Sequence, residues 1–179
     1  MRDTDSSATG GQQKAAEAFA APLAIASQAD FVAAVHRVVA GAAARGARRL
    51  VFVDTDFADW PLDDPALLAA LGDWLALPGR QLVLLADNFD ALPRSRPRFT
   101  AWRRDWLHAI DTRSPAEPGA RALPTWALDD GHLGILLLDR QRWRGRVVVE
   151  ARELHQARER IDAILQRSLP AFPATTLGL

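Results

Sequence analysis

Leu50-Val-Phe-Val-Asp54 and Gln81-Leu-Val-Leu-Leu-Ala-Asp87 decide the fold. Each is a short apolar run ended by an acidic residue, the pattern of a strand buried on both faces. Between them, Asp64-Pro65 offers an N-cap and a first-turn proline to a helix reaching Leu77, and Pro78-Gly79 closes it. Strand, helix, strand is the unit of a parallel sheet. Such sheets present loops at the C-terminal ends of their strands, where ligands bind. The loops after Asp54 and Asp87 are therefore the first places to look for function.

Upstream, Ser27-Gln-Ala-Asp30 has capping-box spacing ahead of the stripe Phe31, Val32, Val35, Val38, Val39, which predicts a helix ending between Gly41 and Gly46. Pro22 to Ala26 reads equally as helix or first edge strand. Downstream, a Pro- and Arg-rich loop at 91–97 leads into a helix carrying Phe99, Trp102, Trp106 and Leu107, and His108 to Arg113 reads as a third strand. Thr125 to Asp129 and Leu133 to Asp139 are strands joined by the hairpin signal Asp130-Gly131. A helix over about Glu150 to Arg167 carries Leu154, Ile161, Ile164 and Leu165, and the tail after Leu169 has no period. The expected architecture is a single α/β domain over 14–179, a mixed β-sheet flanked by helices. Residues 1–13, mostly Gly, Ser, Asp and Gln, are expected to form a disordered leader.

Composition excludes several classes. The chain has 179 residues, 22 Lys+Arg against 22 Asp+Glu, and so no net charge; a general nucleic-acid or membrane binder would carry a basic excess, and any such contact must come from a local patch. There is no Cys, which removes disulfides, thiol nucleophiles and Cys-based metal sites. Lys14, the single lysine, lies in the polar leader, which removes Schiff-base chemistry and a Walker lysine. No apolar run approaches a membrane span and the leader lacks the order of a signal peptide, so the expected location is the cytoplasm. The four His, at 36, 108, 132 and 155, lack zinc-type spacing, and no cofactor is implied.

Three sets of residues carry candidate chemistry. His132-Leu-Gly134-Ile-Leu-Leu-Leu-Asp139 has the spacing H-x-G-x-x-x-x-D. This resembles the HxKxxxxD motif of the phospholipase D superfamily with Gly134 in place of the phosphate-neutralising Lys. The resemblance gives His132 the role of nucleophile and Asp139 that of its orienting partner, without the charge that would hold the phosphate. A competing alignment makes Thr125-Trp-Ala-Leu-Asp129-Asp130 the degenerate motif strand and leaves His132 without a role.

The order of pieces also resembles a family. It comprises the leading helix, the strand Leu50–Asp54 with its loop Asp56 to Leu62, the strand Gln81–Asp87, the basic helix start Arg96-Pro-Arg-Phe-Thr-Ala-Trp-Arg-Arg104, an Asp-rich hairpin and a long last helix ending Ile164-Leu-Gln-Arg-Ser168. From about residue 27 to 179 this is similar to an uncharacterised bacterial domain of the phospholipase-D-like fold, often found C-terminal to an N-acetyltransferase domain. The resemblance implies a phospholipase-D-like fold with a degenerate motif and no attached activity.

The second set is Asp54 and Asp56, placed as in enzymes that hold Mg²⁺ and present a carboxylate nucleophile, with Asp129-Asp130 as a later metal-binding pair. Here Phe57-Ala58 follows where Gly-Thr usually stands. The third set is basic: Arg94, Arg96, Arg98, Arg103, Arg104 and Arg113 around Trp102 and Trp106, and Arg140, Arg142, Arg144 and Arg146 around Trp143. Guanidinium rows beside aromatics suit phosphates or stacked bases, and an extended 140–146 would put its four arginines on one face. The acidic set Asp54, Asp56, Asp59, Asp63 and Asp64 is their alternative partner, within the domain or across a homodimer. The expected function is that of a catalytically impaired domain acting in binding or assembly. The alternatives are a weak metal-independent phosphodiesterase using His132 and Asp139, and an Mg-dependent phosphatase-like enzyme using Asp54 and Asp56.

Overall fold

The computed structural model describes residues 24–117, 119 and 122–173. The leader expected over residues 1–13, and the domain start at residue 14, lie outside the described residues.

Ser27 opens helix α1 (Gln28–Arg45) as expected: its hydroxyl accepts the Asp30 N–H at 3.1 Å, and Asp30 accepts the Ala26 N–H at 3.1 Å. Gly46 ends the helix in the left-handed region, φ 70°, where a side chain would be strained. The described part of the ambiguous segment before it is an edge strand, β1 (Ala24–Ile25). Strand β2 (Arg49–Asp54) pairs in parallel with β3 (Gln81–Ala86), from Arg49 opposite Gln81 to Asp54 opposite Ala86, and α2 (Pro65–Leu75) joins them. Strand β4 (Ile110–Pro115) continues the parallel set. An antiparallel meander follows: β5 (Thr125–Leu128), β6 (Gly134–Asp139) and β7 (Arg144–Val148). Helix α5 (Ala151–Leu165) leads to the edge strand β8 (Ser168–Pro170). The sheet of eight strands runs β1-β7-β6-β5-β2-β3-β4-β8.

Alternation along β2 and β3 builds two core layers. Leu50, Phe52, Leu82 and Leu84 pack with Phe31, Val35, Val38 and Leu71 beneath α1 and α2. Val51, Val53, Val83 and Leu85 pack on the other face with Trp126, Leu128 and, from α5, Leu154 and Ile161. Each such side chain contributes about 1.5–3 kcal/mol by burial, against about 0–1 for an exposed ion pair, so apolar registry fixes the sheet. Among the described residues no helix is long and apolar enough to cross a membrane.

Three expectations change. The helix expected from about residue 98 to 107 is split into α3 (Leu92–Ser95), α4 (Pro97–Trp102) and a 3₁₀ turn over Arg103–Trp106, because Pro93 and Pro97 each restart the backbone. Residues 140–143 form a turn rather than an extended run. The tail after α5 pairs with β4 as an edge strand, where Pro170 costs no ladder hydrogen bond.

Because β5 opposes β2 and β6 opposes β5, the sheet has two functional edges. The C-terminal ends of β2 and β3, the start of β5 and the end of β6 meet at the upper edge. The β5–β6 turn lies at the lower edge, a strand length of roughly 17 Å away.

Candidate functional site

At the upper edge, Asp54 ends β2 with its side chain buried on the α1/α2 face. One oxygen accepts the Thr125 hydroxyl at 2.7 Å and the other the Phe57 N–H at 3.1 Å. Phe57 has φ 57°, a conformation costly for a bulky side chain. It is held there because its ring is fully buried between Trp60, 5.2 Å away, and Phe89, 6.0 Å away. Arg140, on the turn after β6, reaches over this loop. Its Nη2 lies 2.6 Å from Asp56, its Nε 2.8 Å from Asp59 and its Nη1 3.6 Å from Asp54. Arg96 ties down the same loop by donating to the carbonyls of Trp60 and Ala58.

One cation among three carboxylates makes this a closed cage of net negative charge. Burial holds the Asp54 carboxyl above its ordinary value, despite opposition from Thr125 and Arg140. Burial also acts to raise Asp56, but the Ala58 amide and Arg140 outweigh it and the group sits below the usual carboxylate range. Burial acts to lower Arg140, but Asp54, Asp56 and Asp59 outweigh it and hold the guanidinium above its ordinary value. The arrangement repels a phosphate and offers no unpaired base. Among the described residues no three His, Asp or Glu side chains converge as metal ligands do. The loop after Asp87 backs the cage: the Asp87 N–H donates to the Thr55 carbonyl at 3.1 Å.

His132 and Asp139 are not brought together. His132 is exposed in the lower-edge turn, whereas Asp139 ends β6 at the upper edge, where it accepts the Arg142 N–H at 3.0 Å. Gly134 faces α5, where an added Cβ would lie 2.7 Å from Leu128, 2.8 Å from Leu154 and 3.2 Å from Trp126. Thr125 and Ala127, in contrast, project on the Asp54 side of the sheet. The remaining histidines also lie elsewhere: His36 bonds Asp64 at 2.9 Å, and His155 is exposed on α5.

The pair Asp129-Asp130 belongs to the lower edge, away from Asp54, and does not complete a metal site with it. The Asp129 carboxylate is buried. One oxygen accepts the N–H groups of Gly131, His132 and Leu133, and the other faces Arg45 at 2.6 Å. Asp130 accepts from Arg48 and Arg49 N–H. Burial acts to raise Asp129, but Arg45 and the three amides outweigh it and hold the carboxyl below its usual value. A carboxyl depressed in the folded state stabilises above its unfolded value of 3.8, and that contribution disappears as pH falls through the folded value. Asp129→Asn is expected to lose about 2 kcal/mol at neutral pH, with the difference closing in acid, read by urea denaturation.

The arginines expected to bind anions divide. Arg103 is buried, with Nη2 2.6 Å from the Phe172 carbonyl and its guanidinium 3.9 Å over the Phe172 ring, so it fastens the tail. Burial lowers its pKa. Arg113 pairs with Asp111 and Arg146 with Glu153. The row of four arginines over 140–146 does not form: Arg140 enters the cage, Arg142 and Arg144 are exposed, and Trp143 packs 5.7 Å from Phe31. Arg94, Arg98 and Arg104 are exposed.

These observations define the class: an α/β domain with a mixed eight-stranded sheet whose strand-end site is closed by an internal ion-pair cage. The sequence matches no family model and no curated protein. Among solved structures the fold is similar to TrmBL2, an archaeal chromatin protein whose structure is described as showing a novel mode of DNA binding. The TM-score is 0.54 at 11% identity, over 91% of this chain and 64% of that one. It is also similar to NucT from Helicobacter pylori, with TM-score 0.47 and 12% identity over 80% of this chain and 92% of that one. At 11% identity the likeness to TrmBL2 is one of fold alone. The chain spans less than two thirds of TrmBL2.

Proposed function

We propose that the chain is a catalytically inert domain of phospholipase-D-like architecture that works by binding. The observation that carries this reading is the Arg140 cage. Beside Asp54 and Thr125, the guanidinium of Arg140 is neutralised by Asp54, Asp56 and Asp59. Phosphodiester hydrolysis through histidine needs a free cation for the phosphate and a base beside it. Beside Asp54 and Thr125, among the described residues, the Arg140 guanidinium is already engaged and no histidine is in place as a base. The placement of Thr125 and Ala127 on the Asp54 side favours the strand Thr125–Asp130 as the degenerate counterpart of the superfamily's motif strand. Gly134 is then a packing residue. Of the candidate arginines, Arg94, Arg98, Arg104 and Arg144 are exposed and make no ion pair among the described residues, which leaves them for an anionic partner, whereas Arg142 pairs with Asp139 at 3.6 Å.

The test is hydrolysis of bis(p-nitrophenyl) phosphate by the purified protein, with and without EDTA, beside His132→Ala. No turnover is expected in any arm. Turnover that survives EDTA and vanishes in His132→Ala would reinstate a metal-independent phosphodiesterase. Turnover abolished by EDTA would reinstate a metal-dependent reaction through Asp54 and Asp56.

A further inference from the structure

Away from the cage, α2 and the segment α4 with its 3₁₀ turn border a shallow, open groove of about 510 Å³. Arg98, Trp102 and Trp106 follow one another at four-residue spacing and all line it. Opposite them stands Gly72. A Cβ there would sit in ordinary contact, 3.6 Å from Trp102 Nε1 and from Trp106 Cζ2, so the glycine leaves a gap only about one methyl group wide beside the indole edges. The rings belong to an aromatic ladder running outward from the core: Phe99 to Trp102 at 5.8 Å, Trp102 to Trp106 at 6.1 Å, Trp106 to His108 at 6.1 Å. Phe99 is fully buried, Trp102 and Trp106 partly so, and His108 is exposed.

The surrounding charge is out of character with a neutral chain. Residues 91–108 carry five arginines against Asp105 alone. Arg96 and Arg103 are used internally, but Arg94, Arg98 and Arg104 are exposed, and among the described residues none of the three makes an ion pair. Asp73 is the one carboxylate lining the groove, an acceptor for exocyclic amino groups.

We propose that this groove binds single-stranded nucleic acid, with a base against Trp102 and Trp106 and the backbone phosphates along Arg94, Arg98 and Arg104. The proposal extends the binding role above to a class of ligand and a place. Aromatic faces beside unpaired guanidiniums satisfy both parts of a single strand, the base by stacking and the phosphate by charge. In duplex DNA the base faces are covered. The helices here, four and six residues long, offer no extended element for a major groove.

The experiment is fluorescence anisotropy with a labelled oligothymidylate of about twelve nucleotides, set against a duplex of equal length, with gel analysis of the recovered oligonucleotide. Trp106→Ala is expected to weaken binding about tenfold or more. Arg98→Ala is expected to reduce the slope of log K on log salt by about 0.7. Because Trp106→Ala touches the ladder, Gly72→Leu is the second variant: it adds a good helix former to α2 and fills the groove without removing an aromatic or a charge. It is expected to abolish binding while the circular dichroism is retained and the melting temperature does not fall. Arg142→Ala, in the turn after β6 and outside the groove lining, is expected to bind like the parent.

Absence of binding by the folded protein overturns the proposal and leaves the groove to a protein partner. Equal affinity for duplex, or unchanged affinity in Gly72→Leu, also overturns it. Shortened oligonucleotide on the gel would overturn the inert reading of the strand-end site and leave the groove assignment standing.

Discussion

Gly134→Lys, the substitution that would complete H-x-K-x-x-x-x-D on β6, is expected to unfold the protein rather than to activate it. The backbone of Gly134 faces the second core layer, where the first side-chain carbon alone would stand 2.7 Å from Leu128 and 2.8 Å from Leu154. Both leucines are fully buried between β5 and α5 and cannot swing away into solvent. Overpacking of that kind costs about 1–3 kcal/mol for one added carbon. A lysine adds the rest of its chain and an ammonium that either stays in the apolar layer or forces α5 off the sheet. The expected loss exceeds about 4 kcal/mol, a large part of the roughly 5–15 kcal/mol that holds a domain together. Thermal melting reads the loss, and the phosphodiester assay reads the absence of gained turnover. A stable, hydrolytic Gly134→Lys protein would sink both the packing role of Gly134 and the inert reading.

His132 and Asp139 do not meet in this fold, and Gly134 stands where the motif has its lysine. Seven residues along a strand cover roughly 23 Å, so His132 and Asp139 stand at opposite edges of the sheet. The parts that were legible in sequence share a local cause. Leu50–Asp54 and Gln81–Asp87 announce themselves by unbroken apolar runs, α1 by the Ser27 cap, the β5–β6 hairpin by Asp130-Gly131, with Gly131 at φ 119°.

The cage was not legible as a unit, because Asp54, Asp56, Asp59, Thr125 and Arg140 come together only through the pairing of β2 with β5 and of β5 with β6. Asp54 and Asp56 stood out as acids after a strand, but spacing could not reveal that an arginine from a distant turn already occupies them. The alternating arginines would share a face only if 140–146 were extended, and the sequence left that open. Trp143 at φ 53°, drawn toward Phe31, supplies the tertiary reason that it is not. Strand β8 was hidden by Pro170, which a central strand would not accept and an edge strand does. The Arg98, Trp102, Trp106 row was visible as composition, but the gap beside it depends on Gly72, which nothing local marks.

Arg140→Ala is expected to cost about 3 kcal/mol at neutral pH, and the cost is expected to depend on pH in a defined direction. Removing the guanidinium leaves Asp54 buried and ionised beside Asp56 and Asp59, and an uncompensated buried charge of this kind costs about 3–5 kcal/mol. The half-exposed position of Arg140 puts the expectation at the lower end. Asp54 already sits above its unfolded value of 3.8, so its contribution to stability is fully present below that value and is lost as pH rises through the folded one. Without Arg140 its folded value moves further up, and the loss extends to higher pH.

Asp56 acts in the opposite sense. Its folded value lies below 3.8, so it stabilises above that value, and the variant forfeits the share of this that Arg140 supplies. Both effects make the deficit of Arg140→Ala largest near neutrality and smaller in acid. Urea denaturation from about pH 4 to about pH 8 reads it directly. Adding Asp54→Asn to Arg140→Ala removes the buried charge, keeps one carbonyl oxygen to accept the Phe57 N–H and turns an NH2 toward the Thr125 hydroxyl oxygen, which can accept it; it is expected to recover part of the stability at pH 7 and to flatten the pH dependence. A deficit that is independent of pH, or that persists in full beside Asp54→Asn, would mean that Arg140 stabilises the turn by packing and that the cage is not an electrostatic closure. In that case the strand-end edge would lose the feature that makes it inert, and hydrolytic function would have to be sought there again.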